Sequence, residues 1–175
     1  AMHAARLLAP QRGERLLDLC AAPGTKTAHL AECLHDDGTI LATDVRQQRL
    51  RLIEENCRRL GITSVEARLI QPDGGDLPDG PFDAARARWR ISPRDLSELP
   101  ELQLRLLTSA CQRVRDGGRV VYSTCSIEPE ENQHVVHQAL ELLPQVQLAE
   151  ELVHVPGQPG DGGYQALLSL RPIEF

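Results

Sequence analysis

The alternation of apolar and polar positions divides the chain into short strand-like runs and longer amphipathic stretches. The runs that predict strands are RLLDLC (15–20), TILATDV (39–45), SVEARLI (64–70) and GRVVYSTC (118–125). Leu50, Ile53, Cys57 and Leu60 recur at helical spacing and predict a helix over 46–60, which Gly61 ends. Further helices are predicted over 25–34, over 99–114 and after Pro129, and the tail GGYQALLSLRPIEF is predicted to hold a final strand.

Strands that alternate with helices predict an α/β fold with a mostly parallel, twisted sheet and helices on both faces. In such sheets ligands bind beyond the carboxyl ends of the strands, near the point where the strand order reverses. The length of 175 residues predicts one domain, over 1–175. Because the chain begins with Ala and enters helical sequence at once, we expect it to be a piece of a longer protein.

Composition narrows the function classes. The chain is 41% hydrophobic and 25% charged, as soluble globular proteins are, and no apolar run approaches the roughly 18 residues of a membrane span. A net charge of −6 argues against a strong nucleic-acid binder acting alone, but not against a catalytic domain that shares another domain's basic surface. The five cysteines show no C-x-x-C pair and no zinc spacing, which predicts reduced thiols in the cytoplasm and no metal.

The stretch DLCAAPGTKT (18–27) joins the first predicted strand to a helix. Pro23 stiffens the turn, and Gly24 permits positive φ or a close backbone approach. The amides of Thr25, Lys26 and Thr27 would open the helix and suit a carboxylate, such as the methionine part of S-adenosylmethionine. The spacing matches neither the phosphate-binding loop nor G-x-G-x-x-G, and a plain turn between strand and helix is the alternative.

Two acidic residues follow the next two strands. Asp44 ends the second strand, where nucleotide-binding sheets place an acid for ribose hydroxyls, although it could also cap a helix. Asp73 follows the third strand and could meet a base edge, although turn residues are often Asp. Together with the turn, these features at three successive strand ends favour an adenosine-type cofactor.

The stretch STCSIEPEEN (123–132) places Cys125 at the carboxyl end of a buried strand, on the same edge as the first turn. A cysteine there is often a small buried apolar residue. Here Thr124, Ser126 and the helix that begins near Pro129 supply donors expected to lower the pKa of its thiol. Cys125 is therefore a candidate nucleophile.

DLCAAPGTKT, ATD and GGRVVYSTCSIEPEEN together resemble the Sun-type (Nop/Sun) RNA cytosine-5 methyltransferases, especially the bacterial enzymes of small-subunit ribosomal RNA. The resemblance runs from about Arg15 to the DGGYQALL segment. It implies the Rossmann-like fold of S-adenosylmethionine-dependent methyltransferases, with Cys125 as the nucleophile. The implied cofactor-binding residues are Cys20, Ala21, Ala22, Pro23, Gly24, Thr25, Lys26, Asp44, Arg49 and Asp73, although Cys20 is also expected to pack at the strand end.

The resemblance implies that the protein forms 5-methylcytosine in RNA, with 16S ribosomal RNA as the expected substrate. A base in a folded helix must be looped out first, so unpaired RNA is expected. Two alternatives stay open: a methyltransferase of transfer RNA, and a non-catalytic module that binds the cofactor during ribosome assembly. The resemblance also implies a missing N-terminal RNA-binding domain.

The chain departs from the family pattern after Phe82-Asp83. There the family has an apolar strand and an Asp-Ala-Pro-Cys-Ser-type loop, whose carboxylate binds cytosine and whose second cysteine assists release. Here ARARWR (85–90) follows Ala84, and its charge is unsuited to a strand buried on both faces. We therefore expect the fourth strand to be missing and the chain to be broken near 84–88; a continuous chain is expected to lose turnover or to become trapped on RNA.

A local basic cluster surrounds Trp89. It contains Arg86, Arg88, Arg90 and Arg94. These side chains are expected either to meet RNA or to lie in a solvated loop.

Overall fold

The computed structural model describes residues 3–72, 74–89, 99–154, 157 and 162–171, the side chains at 88 and 89 excepted. The helices are α1 (His3–Leu8), α2 (Thr25–Cys33), α3 (Gln47–Leu60), α4 (Leu99–Arg113) and α5 (Gln133–Leu142), with a 3-10 turn at Pro129–Glu131. The strands are β1 (Arg15–Leu19), β2 (Thr39–Asp44), β3 (Val65–Leu69), β4 (Phe82–Trp89), β5 (Val114–Thr124), β6 (Val146–His154) and β7 (Gly163–Leu170).

The seven strands form one sheet in the order β3-β2-β1-β4-β5-β7-β6. The pairs among β3, β2, β1, β4 and β5 are parallel, whereas β7 runs antiparallel to both β5 and β6. The predicted mostly parallel sheet is therefore confirmed. Strand β6 was not predicted, because its sequence VQLAEELVH lacks a regular alternation of apolar and polar residues.

Helices cover both faces of the sheet, as predicted. On one face α4 and α5 pack on β-strand side chains such as Leu17, Val120 and Tyr122. On the other face α1 and α2 pack on Leu16 and Val121, and α3 packs beside them on β2. Because β1, β2, β4 and β5 are parallel, their carboxyl ends lie at one edge of the sheet, where the predicted ligand-binding turn and the candidate nucleophile both lie.

The prediction that the fourth strand is missing is wrong. Phe82–Trp89 forms β4 between β1 and β5, and residues 84–87 pair one by one with 16–19. The expected break of the chain near 84–88 stays a prediction. The strand fits because three of its residues are alanines small enough to be buried. The charge that argued against this strand, on Arg86, is paired with Asp18 directly opposite on β1.

Both predictions for the basic cluster, contact with RNA and a solvated loop, are also wrong for Arg86. This side chain is fully buried and lies neither in a solvated loop nor on a surface that RNA could reach. Arg90, Arg94 and the side chains of Arg88 and Trp89 lie outside the described residues. Their expected contact with RNA stays a prediction.

Candidate active site

The turn after β1 is shaped by its backbone. The peptide between Ala22 and Pro23 is cis, and Gly24 has φ 96° at the N-cap of α2. A Cβ atom on Gly24 would lie 3.1 Å from the Cα of Ile53 on α3. Both the positive φ and the close approach therefore require glycine at this position.

Helix α3 braces the carbonyl side of this turn. Asn56 Nδ2 donates to the Pro23 carbonyl oxygen at 2.8 Å, and Arg49 Nη2 donates to the Ala22 carbonyl oxygen at 3.3 Å. Helix α2 begins at Thr25 and Lys26, and its N-cap residue Gly24 has no side chain, so no side-chain hydrogen bond caps this helix. A helix N-terminus of this kind is suited to an anionic ligand group.

Asp44 lies at the carboxyl end of β2 and is almost fully buried. Its Oδ1 accepts a hydrogen bond from the Arg46 amide at 3.2 Å, but Arg46 is itself the N-cap residue of α3 and no side chain caps that helix, so the alternative that Asp44 caps a helix is not found. Its Oδ2 lies 3.7 Å from Arg49 Nε and accepts no hydrogen bond from the described residues. One oxygen thus orders the chain while the other has capacity for a ribose hydroxyl. Asp73 lies outside the described residues.

Cys125 follows the last residue of β5 and is exposed. Strands β1 and β5 are separated only by β4, so their ends lie about 10 Å apart at a spacing of about 4.8 Å per strand. Burial raises the pKa of Cys20 and of Cys111 to about 12, so neither thiol is available as a thiolate at neutral pH. Among the five cysteines, Cys125 is therefore the one that is both exposed and located at the edge where the parallel strands end.

A buried hydrogen-bond network holds the loop that carries Cys125. Thr124 Oγ1 donates to Asn132 Oδ1 at 2.5 Å, and Asn132 Nδ2 donates to the Ser126 carbonyl oxygen at 3.0 Å. Ser126 Oγ donates to Glu131 Oε1 at 2.9 Å, and Gln103 Nε2 of α4 donates to Glu131 Oε2 at 3.0 Å. The residues on both sides of Cys125 are thereby tied to the segment that precedes α5.

Two residues of this loop's support escaped the sequence analysis. Glu131 was not singled out from the sequence, yet its carboxylate is buried and bonded to two side chains. Gly163, the first residue of β7, packs so closely that an added Cβ would lie 2.7 Å from the Thr124 carbonyl oxygen. The PEEN sequence could have signalled the first, because a buried Glu must find donors; nothing local signals the second.

A cleft of about 780 Å³ lies between α2 and α3. It shares Thr25 and Lys26 with the turn but is not lined by Asp44 or Cys125. Among the described residues, no group of three or more His, Cys, Asp or Glu side chains is placed to hold a metal ion. The described helices include none that is long and apolar enough to cross a membrane.

A seven-stranded, mostly parallel sheet with this turn after β1 and this acid after β2 is the Rossmann-like fold of the S-adenosylmethionine-dependent methyltransferases. Comparison with known families narrows the class further. The chain belongs to the 16S rRNA methyltransferase RsmB/F family, whose model matches residues 5–172.

Curated relatives include the ribosomal RNA small subunit methyltransferases B of Salmonella newport and Salmonella heidelberg, each 37% identical. The match covers 91% of this chain but 41% of each relative, so the chain spans about two fifths of their length. The match runs over 180 residues, whereas 91% of 175 residues is about 159. About twenty positions of the match therefore have no residue in this chain.

Solved structures give the same picture. NSun6 from Pyrococcus horikoshii, solved with SFG, is 26% identical with a TM-score of 0.84, over 98% of this chain and 51% of that one. A methyltransferase homolog protein from the same organism is 30% identical with a TM-score of 0.81, over 97% of this chain and 65% of that one.

Proposed function

We propose that the chain transfers a methyl group from S-adenosylmethionine to carbon 5 of a cytosine in RNA, through a covalent bond between Cys125 and carbon 6. The observation that carries this proposal is the exposed Cys125 at the same sheet edge as the turn after β1. Family membership supports the reaction class. Bound SFG, an analogue of S-adenosylmethionine, in a similar structure supports the cofactor.

The described residues fit this cofactor. The α2 N-terminus at Thr25 and Lys26 would hold the methionine carboxylate, because its amides carry the positive end of the helix dipole. The Oδ2 atom of Asp44 would accept a hydrogen bond from a ribose hydroxyl. The other proposed contacts come from 20–23, from Arg49 and from Asp73.

A thiolate is needed because carbon 5 of cytosine is a weak nucleophile. Addition of the Cys125 sulfur to carbon 6 moves the electron pair of the 5,6 double bond toward carbon 5, which then takes the methyl group. A base then takes the proton from carbon 5, and the electron pair of that C–H bond re-forms the 5,6 double bond and expels the thiolate. The bound sulfonium supplies the methyl group and leaves as the thioether.

The substrate is proposed to be ribosomal RNA, as the family description indicates, and the site of action the cytoplasm. The direct test incubates the chain with cofactor and RNA that carries 5-fluorocytosine, in separate ribosomal and transfer RNA arms. A covalent adduct with ribosomal RNA supports the proposal. An adduct only with transfer RNA would favour the alternative that the protein is a transfer-RNA methyltransferase. Cofactor binding without an adduct in either arm would favour the non-catalytic module.

Release of the product is expected to be slow in this chain. Between Phe82 and Thr124 the sequence holds one cysteine, Cys111, which is buried in α4. No second thiol can therefore assist the last step from that segment, in keeping with the twenty or so positions that the relatives have in addition. With ordinary cytosine RNA and cofactor, we expect an adduct that persists on denaturing gels. The methylated RNA that is released free of protein is expected to amount to less than one molecule per protein molecule. Multiple turnovers without a persistent adduct would contradict this expectation.

The variant Asp44→Asn is expected to weaken binding of S-adenosylhomocysteine about tenfold. The amide oxygen still accepts from Arg46 and keeps the turn, whereas a hydrogen bond from ribose to a charged acceptor is lost. Titration calorimetry measures the change. Asp37→Asn, an exposed residue before β2, is the matched control and is expected to bind as the parent does.

A further inference from the structure

A fully buried ion pair lies directly beneath the cofactor turn. Asp18 of β1 and Arg86 of β4 face each other across the parallel pair, and both side chains have no exposed surface. Arg86 Nε donates to Asp18 Oδ1 at 2.8 Å, and Nη2 lies 2.5 Å from the same oxygen. Neither Nη1 nor Nη2 of Arg86 forms a hydrogen bond of good geometry with the described residues, although Nη2 is in ion-pair contact with Asp18. Stability alone does not explain such a pair, because two apolar residues would serve as well.

The other oxygen of Asp18 holds α2. Thr27 Oγ1, in the first turn of that helix, donates to Asp18 Oδ2 at 2.6 Å within the buried interior. The N-cap residue Gly24 supplies no side-chain bond, whereas this contact ties the first turn of α2 to the sheet. The orientation of the amides at Thr25 and Lys26 therefore depends on Asp18.

The charge of Asp18 also bears on the ligand. A buried carboxylate beside the first turn of a helix opposes the positive end of the helix dipole, and it would repel the carboxylate of a bound methionine group. Arg86 cancels this charge at the shortest possible range. With the pair complete, the first turn is both fastened and electrostatically positive toward the ligand.

We propose that Asp18 and Arg86 are positioning residues for the carboxylate of the cofactor: Asp18 fastens the first turn of α2 through Thr27, and Arg86 neutralises Asp18 so that this end of α2 accepts an anion. The proposal rests on the proposed binding of S-adenosylmethionine. Neither residue touches the ligand, since both are sealed beneath the turn.

The test compares two ligands that differ in the carboxylate. S-adenosylhomocysteine carries the amino-acid group, whereas 5′-methylthioadenosine lacks it. Arg86→Met is expected to weaken binding of S-adenosylhomocysteine about tenfold while binding of 5′-methylthioadenosine changes less than about twofold. The double variant Asp18→Asn/Arg86→Met, neutral at both positions, is expected to regain most of the lost affinity.

Two further variants protect the test against simple unfolding. Thr27→Val keeps the ion pair but removes the hydroxyl, and it is expected to show the same ligand-selective loss, which Thr27→Ser restores. Arg115→Met removes the partner of Asp83 at the opposite end of β4, a pair at 2.6 Å, and is expected to change neither affinity.

The outcomes separate this inference from the proposed function. If the parent chain binds neither ligand, the proposed cofactor itself fails. If the parent binds both, but Arg86→Met and Thr27→Val weaken them equally or not at all, cofactor binding stands and the positioning role of the pair is wrong.

Discussion

Replacement of Cys125 by Ser is expected to abolish the covalent adduct with RNA and to lower methyl transfer by at least about a thousandfold. A serine hydroxyl is far less ionised than a thiol at neutral pH and a poorer nucleophile toward carbon 6. The fold is expected to be kept, because the side chain is exposed and outside the core clusters. Adduct is measured on denaturing gels, and methyl transfer with a labelled donor in a single turnover.

Cys33→Ser is the matched control for this variant. Cys33 is half-buried at the end of α2, and burial raises the pKa of its thiol above the ordinary value. We expect the control to form adduct at the parent rate. An adduct that survives Cys125→Ser but disappears in Cys33→Ser would move the nucleophile to the other thiol.

Replacement of Glu131 by Ala is expected to have the largest effect on stability, lowering the free energy of unfolding by about 2–4 kcal/mol. The change leaves two buried donors, Ser126 Oγ and Gln103 Nε2, without their acceptors. The bond from the Tyr122 hydroxyl to the backbone carbonyl oxygen of residue 131, at 2.7 Å, is expected to remain in the variant. Denaturant unfolding of the parent and the variant measures the loss.

The neighbouring residue provides the comparison for Glu131. Glu130→Ala removes an exposed carboxylate from the same 3-10 turn and is expected to change stability by less than about 0.5 kcal/mol. Because the network fastens both residues beside Cys125, Glu131→Ala is also expected to slow adduct formation at temperatures where the variant is folded. Equal losses of stability in the two variants would show that the buried hydrogen bonds of Glu131 do not stabilise the fold.

Much of the fold could be predicted from local pattern. The runs at 15–20 and 39–45 became β1 and β2, because buried parallel strands need nearly continuous apolar sequence. The run at 64–70 became β3, an edge strand with no fully buried residue. Strand β4 could not be predicted in this way, since its fitness depends on Asp18, a residue 68 positions away that neutralises Arg86. Charge in a strand argues against burial only when its partner is unknown.

The candidate site shows the same division. The turn at Pro23 and Gly24, the acid at 44 and the thiol at 125 are recognisable in sequence, because each lies where a strand ends and its chemistry is local. The supports are not, because Gly163 meets Thr124 only after β7 has turned back beside β5. Of the two roles predicted for Asp44, helix capping is not found, whereas Oδ2 has no partner among the described residues and keeps the capacity for a ribose hydroxyl.

The close approach of Gly24 to Ile53 couples the position of the turn after β1 to the position of α3. Helix α3 touches the methionine side of the pocket at Gly24 and the ribose side through Arg49 and Asp44. A side chain at position 24 would lie against the backbone of α3 at Ile53, so α3 would have to shift, and Arg49 on the same helix would shift with it. Variation in either half of the pocket is thus constrained by the other, although no ligand atom need span the two.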